Sequence, residues 1–476
     1  MRKLIGKATL ILFLTLALVG CNSDSILPSD NEYSTPQDFE TALIETYNVF
    51  LFGSYYGGSD TGDLNSLPEV LGDNIIRNPS GRGTKTTLYD YDFNAANAQM
   101  GIYTTAYNMI YRTNLILKFL DQSSFQESFR SKIEAEARGI RAIAHFDVVK
   151  FYGKIPTQGG ELGLGILYNT SIDPPNTPSR LDLLETYNHI IEDLEFAYNH
   201  IETNQRGGRL NKEAIALYLS RVHLYLGGDE NNIKASQYAS EITTQPSPRE
   251  DLASVFTDDS KAGVLFYISN MPGEDGMEQP IGYTWGKGSI NNRSSEFNVT
   301  KSFYDMFDSS DIRKEVFMKK GEDAHGNSGI FIAKLWGKGG SHNGIVDLKI
   351  LRAEEAILNK AEAEYKLNNH GVALAELDKL REVRYTDFVS GNETGDALWE
   401  AIKLERRLEL AFESSRFLDI KRWGEDLSRF DEGHQQDGSG ENPITLEVEN
   451  SSYKFLLPFS LDAMARNPNL VQNPGY

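Results

Sequence analysis

Cysteine is almost absent from this 476-residue chain. Its one thiol, Cys21, excludes an intramolecular disulfide and a thiolate metal cluster. Histidine is sparse too: none of the eight residues forms an HExxH pair, and His189 and His200 are spaced wrongly for neighbouring ligands on one helix. A GxSxG nucleophile elbow is missing, because Gly339-Gly340-Ser341-His342-Asn343 fails at its last position. Gly282-Tyr283-Thr284-Trp285-Gly286-Lys287 falls one residue short of a phosphate loop and has no Ser or Thr after the lysine. No EF-hand loop fits. Adjacent acids such as Asp258-Asp259 cannot converge on one glycosidic bond. Positive charge is also short. The 47 Lys and Arg against 68 Asp and Glu leave −21, a surface that repels phosphate backbones and argues against nucleic acid as a partner. No cofactor, metal site or catalytic constellation is expected.

Long apolar runs are lacking as well. Ala8 to Val19 is an apolar stretch of twelve residues, whereas crossing a bilayer takes about 20. Behind Arg2, Lys3 and Lys7 it suits the core of a signal peptide. Leu18-Val19-Gly20-Cys21 follows at once and has the form of a bacterial lipobox, with Cys21 as the lipidated residue. Residues 1–20 are therefore expected to be a signal peptide and residues 21–34 a polar, lipidated tether. The mature protein would be anchored to a membrane, not embedded in it.

Helical periodicity dominates the rest. Residues 35–52 read as a first helix, with Thr35-Pro36 as cap and first-turn proline. Helices are also expected over 95–120, 131–152, 180–201, 212–226, 233–242, 348–367 and 372–384. Two of the pairs (212–242 and 348–384) resemble degenerate tetratricopeptide-type hairpins. Residues 245–344 differ in character: Gly and polar residues dominate, with short strands at Val264–Ile268 and Ile330–Ala333. The fold class expected is mainly α, a scaffold of tetratricopeptide-like helical hairpins with a loop-rich, strand-containing ligand-binding insertion. The regions run 35–244, 245–344 and 345–476.

The stretch Leu398 to Gly424 carries an unusual pattern. Ala401, Leu404, Leu408, Ala411 and Phe412 share one helical arc, and Glu405 and Glu409 fall inside it. A carboxylate among aliphatics must be neutral or matched by a cation, and Arg406, Arg407, Arg416 and Arg422 are close in sequence. Glu136 and Asp147, with Arg138 and Arg141 nearby, repeat the design, as does Glu354. Three such helices point to a structural lattice of ion pairs (Glu354, Glu405, Glu409, Arg416, Arg422) over three active sites. The competing reading is a secreted all-helical glycoside hydrolase using Glu405 or Glu354.

Aromatic rings supply the binding signal, with 23 Tyr and 24 Phe leaving some to spare. Trp399 and Trp423 belong to the helical pattern and are expected in the core. Trp285 and Trp336 lie in Gly-rich loops with Tyr283 close by, where flat rings stack on the apolar faces of sugars and polar groups take the hydroxyls. The alternative is that each ring anchors its own loop. A second long loop, Gly53 to Thr87, offers Asp73 and Arg77. The candidate ligand residues are thus Asp73, Arg77, Tyr283, Trp285 and Trp336.

Glu405-Arg406-Arg407-Leu408-Glu409-Leu410, Phe412-Glu413 and Arg416-Phe417-Leu418-Asp419-Ile420-Lys421-Arg422-Trp423-Gly424 resemble the C-terminal signature of the SusD/RagB family of outer-membrane nutrient-binding lipoproteins. Gly72-Asp73-Asn74, Arg138, Arg141-Ala142, Gly208-Arg209, Asp311, Arg313 and Arg352-Ala353-Glu354 extend the resemblance in order along the chain. Tyr103 stands where the family usually has tryptophan, and Leu457-Pro458 replaces its usual Ile-Pro. The resemblance implies a non-catalytic, surface-exposed outer-membrane lipoprotein. It implies a glycan ligand, with peptide as the alternative, and a SusC-like TonB-dependent transporter as partner.

Overall fold

The computed structural model describes residues 33–58, 63–97, 101–158, 163–172, 177–203, 208–271, 281–282, 285, 294–323 and 325–476. The expected signal peptide, Cys21 and Tyr283 lie outside them. Among the described residues, ten helices of eight residues or more carry the architecture. They are α1 (Pro36–Asn48), α2 (Gly101–Asp121), α3 (Glu127–Tyr152), α4 (Leu183–His200), α5 (Lys212–Leu226), α6 (Gly228–Ser240), α7 (Ala353–Lys366), α8 (His370–Glu382), α9 (Gly395–Glu409) and α10 (Arg416–Trp423). None is long and apolar enough to cross a membrane.

Helix α1 starts where its cap predicts. The Asp38 N–H donates to the Thr35 hydroxyl, the Asp38 carboxylate accepts the Thr35 N–H at 2.6 Å, and Pro36 opens the first turn. Helices α2, α3 and α4 pack in succession, α5–α6 and α7–α8 form hairpins, and α6 lies against α7. A single residue, Gly227 at φ 65°, joins α5 to α6, and a Cβ there would strike the Thr157 side chain. Only glycine meets both demands. The α7–α8 turn uses Asn368 at φ 61°, a residue whose short amide tolerates the left-handed region. The fold is mainly α with tetratricopeptide-like hairpins, as the periodicity indicates.

Among the described residues strands occur as antiparallel pairs: β1 (Ile75–Arg77) with β3 (Phe297–Val299), β2 (Val264–Ile268) with β6 (Leu348–Arg352), β4 (Met318–Glu322) with β5 (Ser328–Ile332), and β7 (Leu427–Ser428) with β8 (Glu447–Val448). Residues 348–352 correct the sequence reading, which put them in a helix. They pair Leu348 with Ile268 and Arg352 with Val264, and α7 begins only at Ala353. Five mixed residues fit either period, and the open edge of β2 decides. Two of these pairs tie the 245–344 region to the rest, since β1 and β6 both lie outside it. Phe50, Phe266, Phe297, Phe317 and Phe412 accordingly share one core cluster.

The Leu398–Gly424 stretch is two helices, not one. Helix α9 stops at Glu409, the chain turns through Phe412 at φ 63° and Ser414 at φ 65°, and α10 follows. Cations cause the break. Lys334 Nζ donates to the carbonyls of Glu409 and Ala411 at 3.0 and 2.9 Å, and Arg352 reaches the Glu409 carbonyl at 3.2 Å, all favourable at a helix C-terminus. Leu404, expected on the apolar arc, is 40% exposed. The buried face instead runs through Leu398, Ile402, Glu405, Arg406, Leu408 and Glu409.

Candidate functional site

The embedded acids form buried ion networks. Glu409 on α9 meets three guanidiniums: Arg384 at 2.8 Å, Arg352 at 2.9 Å and Arg313 at 3.3 Å. Burial opposes its ionisation, yet Arg384, Arg352 and Arg313 outweigh burial and hold the carboxyl well below the usual range. Glu354 on α7 pairs with Arg384 at 2.7 Å and Arg352 at 3.0 Å. Glu405 takes Arg313 at 2.8 Å and the Tyr385 hydroxyl at 2.6 Å. A second network runs from Arg406 through Asp419 (2.9 Å) to Arg422 (2.8 Å) and on to Glu362 (2.7 Å). Trp423 donates its indole N–H to Glu362 at 3.2 Å, and Trp399 stacks on Tyr365.

The partners on α3 differ from those expected. Glu136 and Arg138 sit two residues apart and so point to different helix faces. Glu136 is gripped by Arg209 at 2.7 and 2.6 Å. Asp147 accepts from the Tyr55 hydroxyl at 2.7 Å and pairs with Lys150 at 2.8 Å. Arg138 and Arg141 both reach Asp193 on α4, at 2.7 and 2.8 Å. Glu409 with Arg313, Glu362 with Arg422 and Glu136 with Arg209 each tie segments far apart in sequence, which is what a brace does. Guanidiniums on several sides offset the charge of each such acid.

Two hollows lie among the described residues near these networks. A cavity of about 80 Å³ is lined by Lys150, Arg221, Glu355, Arg406, Asp419 and Asp347 among others. It has room for several waters. Its charged lining is already satisfied, Arg221 by Glu355 and Arg406 by Asp419. A groove of about 380 Å³ between the end of α6 and α7–α8 is lined by Pro246, Pro248, Ile357, Lys360 and Glu376, and no aromatic ring lines it. Among the described residues no group of His, Cys, Asp or Glu is arranged to hold a metal ion.

The loop after β5 has the chemistry the hollows lack. Trp336 is half-buried, and its indole N–H meets no acceptor among the described residues. Its ring lies 4.4 Å from that of His342, tilted by 58°. His342 adopts φ 57°, a left-handed conformation that costs a non-glycine residue about 1 kcal/mol or more, and its side chain faces solvent. Gly344 donates to the Trp336 carbonyl at 2.7 Å to close the loop, and Ser341 donates to the Asn343 amide oxygen at 2.9 Å. A flat indole, an imidazole, a hydroxyl and an amide thus share one small loop. Sequence reading missed His342 because it tested Gly339–Asn343 only as a nucleophile elbow. A ring residue flanked by glycines on both sides was the available signal.

Two other candidates are corrected. Trp285 is 1% exposed and packs on Phe297 at 6.0 Å, its indole N–H also without an acceptor among the described residues. Of the two roles open to this ring in the sequence, ligand platform or loop anchor, its burial fits the anchor. Asp73 is buried between Arg416 at 2.6 Å and Arg407 at 3.2 Å, which together overcome burial and bring its carboxyl to about 2. It docks the 63–74 segment onto α9 and α10. Arg77, at the end of β1, stands 3.5 Å from Glu441 with Tyr89 and Asp90 as neighbours.

Known proteins share this fold. The sequence profile of the SusD family matches residues 277–476, and a profile described as starch-binding associating with outer membrane matches residues 28–224. A SusD-like protein P2 of Formosa agariphila is 25% identical over 521 aligned positions, which take in 99% of each chain. A SusD superfamily structure from Bacteroides thetaiotaomicron superposes with a TM-score of 0.80 at 23% identity, covering 93% of this chain and 100% of its own. Surface glycan-binding protein A from Bacteroides fluxus does so at 0.75 and 21%, with the same coverage. At such identities the structural likeness speaks for the fold.

Proposed function

The chain belongs to the SusD/RagB family, and from that premise we propose that it is a non-catalytic outer-membrane lipoprotein that binds an oligosaccharide and passes it to a SusC-like TonB-dependent transporter. Cys21 would carry the lipid. The observation that carries the binding reading is the Trp336–His342 pair, a partly exposed indole beside an exposed imidazole on a glycine-rich loop. A sugar offers an apolar face for the rings and hydroxyls for the polar side chains of the same loop. The acids support a role without turnover: Glu354, Glu405 and Glu409 are each engaged by buried guanidiniums. The description of one matching profile as starch-binding and outer-membrane-associated supports the same reading. Affinity electrophoresis through gels containing soluble starch, xylan, laminarin or alginate tests it. The wild type is expected to be retarded in at least one, and Trp336→Ala to run as in an empty gel. Equal retardation of both forms defeats the site.

A further inference from the structure

Asp347 lies just beyond the Trp336 loop and is buried, yet it ties three segments together. Its Oδ1 accepts the Asn270 N–H at 2.9 Å and the Lys338 ammonium at 2.5 Å, and its Oδ2 accepts Lys261 Nζ at 2.7 Å. Its own N–H donates to Asp258 at 2.7 Å, and Asp258 holds Lys261 at 3.0 Å and Lys349 at 2.6 Å. Two submerged carboxylates thus face three ammonium groups, of which Lys261 and Lys338 are partly open to water.

Lys338 is the link to the loop. It stands two residues after Trp336 in the short turn Lys338–Gly340, whose backbone is fixed by Lys338 N–H to the Ile345 carbonyl (3.0 Å) and Gly339 N–H to the Thr257 carbonyl (2.8 Å). Four glycines of this loop, at 337, 339, 340 and 344, have positive φ. Such a loop has little stiffness of its own. A charge-assisted bond at its base removes freedom that a ligand would otherwise have to remove on binding.

We propose that Asp347 is a positioning residue for ligand capture. Through Lys338 it holds Trp336 and His342 in register, so binding depends on the Lys338–Asp347 pair although neither residue touches the ligand. The inference rests on Trp336 being the sugar platform.

The test uses the full chain and has two arms. Without ligand, Trp336 emission is isolated by subtracting the Trp336→Ala spectrum. Lys338→Met and Asp347→Asn are expected to shift it to the red and to raise its quenching by acrylamide, and Lys338→Arg to restore it. With the polysaccharides named above, Lys338→Met is expected to weaken binding about ten-fold in otherwise wild-type protein. Unchanged emission and affinity in folded Lys338→Met overturn the inference even if Asp347→Asn fails to fold. Wild-type binding by Trp336→Ala overturns the platform reading with it. Impaired Trp336→Ala beside unaffected Lys338→Met overturns this inference alone.

Discussion

Arg384 and Glu409 meet with no solvent-exposed surface on either side chain, Nε donating to Oε2 at 2.8 Å. Arg352 and Arg313 approach the same carboxylate from other segments, so this acid fastens α9 to the residues before α7, after α8 and at Arg313. Removing its charge takes one carboxylate from three buried guanidiniums at once and leaves Glu354 and Glu405 to offset them. Glu409→Gln is therefore expected to lower unfolding stability by about 3–5 kcal/mol, read from urea midpoints. A change within 1 kcal/mol or so would mean the networks do not brace the fold.

Arg422 serves two acids at once, Glu362 through Nη2 at 2.7 Å and Asp419 through Nε at 2.8 Å. A lysine ammonium carries the same charge but cannot present that fork. Arg422→Lys is expected to destabilise by roughly 2 kcal/mol, measured by thermal unfolding. Wild-type stability in this variant would reduce the network to bare charge balance.

Glu69 and Asp73 stand four residues apart and titrate in opposite directions. Asp73 has two arginines. Glu69 has only the Asn74 amide and the Phe412 N–H, each at 3.1 Å, and burial pushes its carboxyl up to about 7. The unfolded chain gives up this proton near 4.5 and the folded chain only near 7. Across that window the unfolded state binds fewer protons, so Glu69 lowers stability as pH rises, by roughly 3 kcal/mol in all. For Asp73 the sense is reversed: its contribution is complete above 3.8 and is lost as pH falls toward 2. Glu69→Gln should flatten the decline between pH 4.5 and 7 in urea-midpoint profiles. An unaltered slope contradicts the assignment.

Trp285 and Trp336 should part company on truncation. Trp285→Ala empties a core position beside Phe297 and is expected to cost about 3–5 kcal/mol. Trp336→Ala removes a half-exposed ring and should change stability by less than about 1 kcal/mol. Differential scanning calorimetry of the two variants checks this, and comparable losses would mean that Trp336 is also a loop anchor.

Much of this arrangement was legible in the sequence, because helical hairpins write themselves in apolar spacing and buried acids stand out against it. The ends of elements were harder. Nothing between Glu405 and Trp423 is glycine or proline, so the turn at Phe412 could not be read locally; it is imposed by Lys334 and Arg352, which arrive from elsewhere. Partner choice was hidden for the same reason: Glu136 finds Arg209 and not Arg138. At the site, a ring followed by a glycine gave no sign of whether it points outward, as Trp336 partly does, or inward, as Trp285 does.

One experiment bears on binding without turnover. Purified full-length protein is titrated with a polysaccharide that retards it, and the same mixture is assayed for new reducing ends. Saturable binding that disappears in Trp336→Ala, with no reducing ends formed, is the expected result. Steady release of reducing ends that vanishes in a folded Glu405→Gln variant would contradict it.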